Sequence, residues 1–170
     1  QSQREMVTKE SHYFLGRRYL LDVKTCNGTP RVRIVENSLL ELCVPPEWNQ
    51  GQREAMLQRW YRHQLKALLP ALLAKWEPRI GKKVSELRIR KMKTRWGSCN
   101  VDAQRIWLNL ELIKKPIQCL EYVLVHEWVH LHERHHNERF QAWMNDVLPN
   151  WRSLRDELNC APLACKHWTY

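Results

Sequence analysis

The sequence predicts an α+β fold: N-terminal antiparallel strands, a long helix, a short antiparallel sheet and a helix bearing a His-Glu-x-x-His motif. Three observations predict it. Up to residue 48, short apolar and alternating runs are punctuated by Gly, Asn and Pro, as strands are. From Gly51 to Trp76 the apolar residues recur with helical period. The apolar run Tyr122-Val-Leu-Val125 then leads directly into His126-Glu127-Trp128-Val129-His130.

Tyr13, Phe14 and Leu15 precede Gly16 and form one short strand, and Tyr19 to Val23 form the next. Asn27-Gly28-Thr29-Pro30 is a turn signal, followed by Val32, Ile34 and Val35 as a third strand. Leu39 to Val44 is a fourth, stopped by Pro45-Pro46, and together they read as an antiparallel meander over 1–48. The helix from Gly51 buries Leu57, Trp60, Tyr61, Leu65, Leu68, Leu69 and Leu72 on one side, and Pro70 is expected to kink it or begin a second helix. After Gly81 a half-basic strand carries Val84, Leu87, Ile89, Lys91 and Lys93 into Thr94-Arg95-Trp96-Gly97-Ser98-Cys99, and Arg105 to Leu110 returns as its partner. Pro116 opens the motif helix, because the first helical turn has no need of its missing N–H. Asn137 is the expected N-cap of a further helix with Phe140, Trp143, Met144 and Val147, which Pro149 interrupts before Trp151, Leu154 and Leu158.

A chain of 170 residues is most simply one domain, 1–170, long enough to bury a core without covalent staples. An apolar fraction of 44% with nine tryptophans excludes a disordered chain, and no apolar run is long enough to span a membrane. The formal charge of +10 points to anionic partners, a nucleotide or nucleic acid among them, although the Arg88 to Arg95 cluster is equally consistent with the solvated face of a strand. Six scattered cysteines without a signal peptide read as reduced thiols of a cytoplasmic protein. Cys160, Cys165 and His167 suggest a second metal site less well than they suggest a frayed tail. The chain opens at Gln1 without an initiator Met, so further N-terminal sequence is expected.

Residues four apart on a helix stand one above the other, so His126 and His130 can aim their imidazoles at one point. Glu127, one step round, can reach a metal-bound water without becoming a ligand. For the third ligand, His132 and His135 would project away if the helix continued. His136 serves if the helix ends and the chain turns back, as Asn137 allows. The spacing from His126 through His130 to His136 equals that of the metzincin signature, with Glu133 where that signature has Gly. The alternative is an acid from the following helix, Glu138 or Asp146. Three protein ligands would leave a fourth position for water, and Glu127 would take its proton in a hydrolysis. Gly97 in the Trp96 to Cys99 stretch would admit a close backbone neighbour, and Ser98 or a main-chain N–H could face a developing oxyanion on a sheet edge that binds extended peptide. The same stretch also reads as a packed strand end, with Trp96 in the core and Cys99 as an inert buried thiol. Arg95 and Asn109 are further candidates for orienting the site.

Arg95-Trp-Gly-Ser-Cys99, Ile106-x-Leu-Asn109, and Tyr122-Val-x-Val-His-Glu-x-x-His-Leu-x-x-x-x-His136-x-x-x-Phe140 resemble the YgjP-like metallopeptidase domain, related to the SprT-like proteases. The similarity extends to Leu15-Gly-Arg-Arg-Tyr-x-Leu and to Trp60-Tyr-Arg, and so covers nearly the whole chain. It implies a zincin-like core over 51–170, Zn2+ on His126, His130 and His136, Glu127 as catalytic base, and a peptide or protein substrate. Activity on nucleotides has also been attributed within this family, so a nucleoside triphosphate phosphohydrolase is the first rival. A DNA-associated binding module with a vestigial site is the second, against which the intact Glu127 speaks.

Overall fold

The structure is a computed structural model that describes residues 5–160. Of the possible second metal site only Cys160 falls there; Cys165 and His167 lie outside the described residues.

The α+β class is as expected. The four N-terminal strands are β1 (Ser11–Phe14), β2 (Arg17–Thr25), β3 (Arg31–Val35) and β4 (Leu39–Val44), in the spatial order β1-β2-β4-β3. They do not form an antiparallel meander. β4 inserts between β2 and β3 and runs parallel to β2 while pairing antiparallel with β3. The physical reason lies in the two turns. Glu36 and Asn37 both adopt left-handed conformations, φ 53° and 56°, the geometry that folds a tight two-residue hairpin. The Asn27-Gly28 stretch instead carries the chain across the end of β4, where Cys26 N–H donates to Val44 O at 3.1 Å.

A 31-residue helix, α1 (Gln50–Ile80), follows. Asn49 caps it, its side chain accepting from Gln52 N–H at 3.0 Å while the Gln52 amide oxygen accepts from Asn49 N–H at 2.9 Å. Pro70 neither ends nor divides the helix. Pro70 is exposed, so the Lys66 carbonyl that loses its donor also faces water, and Leu65, Leu69, Leu72 and Trp76 bury the opposite side on both flanks of the proline. The helix stops at Gly81, whose N–H donates to Glu77 O at 2.9 Å.

The second sheet is β5 (Glu86–Arg90), β6 (Gly97–Asn100) and β7 (Arg105–Asn109), ordered β5-β7-β6. It too is mixed rather than antiparallel, since β5 runs parallel to β7. β5 is shorter than the alternation suggested and ends at Arg90; residues 91–96 form an irregular crossover that carries the chain past β7 to its far side. A 3-10 turn, Leu110–Lys114, leads to α2 (Ile117–Val129), then α3 (Glu138–Val147) and α4 (Trp151–Cys160). The turn between β1 and β2 docks on the 3-10 turn that precedes α2, with Leu15 N–H donating to Ile113 O at 2.8 Å and Gly16 N–H to Lys114 O at 3.1 Å. Gly16 has φ +80°, and a Cβ there would lie 2.8 Å from Pro116 Cγ, so both conformation and space require glycine. A continuous core links the first sheet, α1 and the helices around α2. Among the described residues no helix is long and apolar enough to cross a membrane.

Candidate metal centre

Nearly every side of α2 is covered. Val123, Leu124, Val125, Trp128 and Val129 are fully buried, and His126 and Glu127 are each only 3% exposed. The helix is therefore fixed by packing all round, and its C-terminal end alone opens on a cleft. It stops at Val129, and His130 is its C-cap.

The turn back is made without glycine. Leu131 N–H donates to Trp128 O at 3.0 Å, His132 N–H to Val129 O at 2.9 Å and Glu133 N–H to Val129 O at 3.2 Å, tightening the last turn. Glu133 does not enter the left-handed region. Its carbonyl accepts from His130 Nδ1 at 3.0 Å, and its carboxylate accepts from His135 N–H at 3.2 Å. Asn137 then caps α3 by accepting from Phe140 N–H at 3.0 Å. The result places His136 Nε2 3.0 Å from His126 Nε2 and 3.0 Å from His130 Nε2.

This donor set fits a divalent metal. A carbonyl can only accept, so His130 Nδ1 carries the proton and its Nε2 presents a lone pair to the other two rings. Burial lowers the proton affinity of all three imidazoles. The effect is largest at His126, where the charges of His130 and His136 add to it, and at His136 the neighbouring His135 adds to it. At His130 burial outweighs the opposing bond to Glu133. Neutral rings with converging lone pairs are the form that ligates a cation, and imidazole suits divalent transition metals. Phe140, on α3, walls the group, its ring centroid 4.9 Å, 4.7 Å and 4.9 Å from those of His126, His130 and His136. Among the described residues these three histidines are the one group of potential ligands close enough to share an ion. Glu138 and Asp146 are exposed on α3 and do not join it. His132 points elsewhere: Nε2 lies 2.6 Å from Ile80 O and the ring stacks on Trp143.

β6 crosses α2 at Gly97. A Cβ added there would lie 2.8 Å from Glu127 Cγ, 3.0 Å from Glu127 Oε1 and 3.0 Å from Val123 Cγ1, so the strand backbone holds the carboxylate in place. The neighbour that Gly97 admits is thus a side chain rather than a backbone. β6 is the last strand in its sheet among the described residues, and it borders a cleft of about 810 Å³. Arg95, Gly97, Ser98 and Cys99 line that cleft with the three histidines and Glu127. Cys99 is half-buried there rather than enclosed, and burial pushes its thiol up to about 12.

Trp96 and Asn109 stand behind the cleft, outside its lining. Trp96 is buried in the core with Lys115 Nζ 5.4 Å from its ring centroid. Asn109 is fully buried and organises the crossover: Nδ2 donates to Arg95 O at 2.8 Å and Met92 O at 3.0 Å, while Oδ1 accepts from Glu111 N–H at 3.1 Å. Sequence reasoning missed Arg134 and Asp102, whose ion pair joins the turn after α2 to the β6–β7 connection across the cleft. Nothing in their spacing announces it, since the partners come from separate loops.

The crystal structure of the metallopeptidase zymogen abylysin of Pyrococcus abyssi is similar in fold, with a TM-score of 0.53 over 60% of this chain and 100% of that chain, at 19% identity. No curated protein matches the chain significantly. The family model described as YgjP-like, metallopeptidase domain, matches residues 1–161, and the chain belongs to that family.

Proposed function

We propose that the protein is a zinc-dependent metallopeptidase in which His126, His130 and His136 hold the metal and Glu127 is the general base. The observation that carries this reading is the convergence of three Nε2 atoms at 3.0 Å contacts beside a carboxylate pinned against Gly97. Zinc bound there would polarise a scissile carbonyl and bring the pKa of a water towards neutrality. Glu127 accepts the proton of the attacking water and delivers it to the leaving amine nitrogen as the C–N bond breaks. The place of β6 at the margin of its sheet supports a peptide substrate, because a marginal strand bordering a cleft can extend the sheet onto an extended chain. Arg95 and the main chain of Gly97 and Ser98 are the candidates for touching that substrate and facing the developing oxyanion, a role supported by their lining the cleft beside the histidines. Asn109 and Trp96 act behind them as positioning residues.

A second reading, hydrolysis of nucleoside triphosphates, draws on Arg95 and Arg134 in the cleft wall. Parallel assays of the zinc-loaded chain against an unfolded protein and against nucleoside triphosphates separate the two. The expected result is cleavage of the protein alone, with Glu127→Gln lowering turnover about 10²- to 10⁴-fold. Turnover of triphosphates alone moves the assignment to the second reading, and turnover indifferent to the substitution removes Glu127 from the mechanism.

A further inference from the structure

The outer face of the second sheet carries an arrangement that the metal cleft does not use. Side chains at paired positions of neighbouring strands project to the same face. The register pairs Glu86 with Arg105, Arg88 with Trp107 and Ser98 with Trp107, so these share one face. The opposite face holds Ile89, Ile106 and Leu108 in the core, with Gly97 against α2. Trp107 is therefore an aromatic ring set outside the core, and it is only half-buried. Two guanidinium groups lie over it, Arg90 Cζ at 4.7 Å and Arg88 Cζ at 5.4 Å from the ring centroid.

The charges on this face are unbalanced. Glu86 meets both Arg88 and Arg105, whereas Arg90 has no carboxylate partner among the described residues. Past Arg90 the crossover adds Lys91, Lys93 and Arg95, of which Lys91 lies 3.7 Å from Glu111. The basic track thus runs from the sheet face to the rim of the cleft, where Arg95 lines the wall. Cations already held over an aromatic ring are ordered before a ligand arrives, and they offer planar donors beside a stacking surface.

We propose that this face binds single-stranded nucleic acid, with a base stacking at Trp107 and the backbone phosphates on Arg88 and Arg90. An acidic polypeptide would engage the cations and leave the ring idle. A duplex would need a helix or ribbon that enters a groove, and this face is the surface of a three-stranded sheet. The proposal concerns a surface separate from the metal ligands and does not rest on the peptidase reading.

The test is fluorescence anisotropy of end-labelled oligothymidine and oligouridine with the full zinc-loaded chain over a salt series. Both oligonucleotides are expected to bind, each weakening steeply with salt, and the stronger of the two identifies DNA or RNA as the preferred strand. Trp107→Ala is expected to weaken binding about 10-fold or more, while Trp107→Phe keeps a stacking ring and most of the affinity. Arg88→Ala and Arg90→Ala should each reduce the magnitude of the log–log salt slope by about 0.7. Glu127→Gln should leave binding unchanged. The proposal is overturned by absence of binding at low salt or by equal affinity in Trp107→Ala and Trp107→Phe with native circular dichroism. Tighter binding of a duplex, or equally effective competition by polyglutamate, also overturns it.

Discussion

Glu127 shows how much one residue's position depends on an absence elsewhere. The His-Glu-x-x-His spacing places it beside the ligands, but Gly97 on another element leaves the room its side chain occupies. Gly97→Ala would bring a Cβ within 2.8 Å of Glu127 Cγ. Because the strand is anchored to β7, the carboxylate is the part that moves. The expected outcome is a loss of stability of about 1–3 kcal/mol in urea unfolding, with peptide turnover falling at least 10-fold at saturating substrate and zinc content unchanged. Two cysteines give a prediction in pH. Burial raises Cys99 and Cys119 to about 12 from an ordinary 9.0. The folded state thus resists ionising thiols that the unfolded state ionises near 9.0, so this stabilisation is complete below pH 9 and is lost as pH rises from there towards 12. Urea midpoints should fall across that window, less so in a Cys99→Ala, Cys119→Ala double variant, and alkylation of the native protein at pH 8 should spare both thiols.

Among the elements, those governed by local signals were legible and those governed by pairing were not. Gly81 as a boundary and Asn137 as the cap of α3 follow from local chemistry, a glycine at a helix end and a side chain that satisfies its own helix terminus, whereas the Asn49-x-x-Gln52 box that starts α1 just before Gly51 is a local signal the reading from Gly51 passed over. The mixed order of both sheets does not. A turn sequence fixes how the chain bends, not which strand it returns beside, and β4 reaches its place between β2 and β3 through non-local contacts. Glu133 stands in the turn to His136 where the comparable signature places Gly. The turn closes instead through the His130 ring and the Glu133 carbonyl, a bond that spacing alone does not reveal. Asn137 thereby serves both a helix and a ligand position. Asn137→Ala should cost about 1 kcal/mol of stability, measured by thermal unfolding without metal, and should weaken zinc binding severalfold in a competition titration. Zinc affinity equal to wild type would separate the cap from the site.

For the whole molecule, the candidate metal centre ties together parts that are distant in sequence. α2 brings His126, Glu127 and His130, the cap of α3 brings His136, and β6 supports Glu127, while the first sheet docks on the 3-10 turn that precedes α2 through Leu15 and Gly16. His126, Glu127 and His130, the proposed base and two of the proposed ligands, could be read from the chain because helical periodicity is local, whereas His136 joins them only through the turn that follows α2. The cleft wall could be read only in part, since Arg95, Gly97 and Ser98 reach it while Asn109 and Trp96 work behind it. Three converging neutral imidazoles are more stable around a cation than alone, so metal and fold are thermodynamically linked. Zinc at 100 times its dissociation constant should stabilise the chain by about 2.7 kcal/mol, seen as a rise in Tm that a chelator reverses and that is lost in His126→Ala. The most direct test of the site is zinc-edge X-ray absorption on the protein loaded with one equivalent of zinc. The three-histidine centre predicts three imidazole ligands at about 2.0–2.1 Å in the wild type and two in His136→Ala. A sulfur ligand, or an imidazole count unchanged by that substitution, would contradict it.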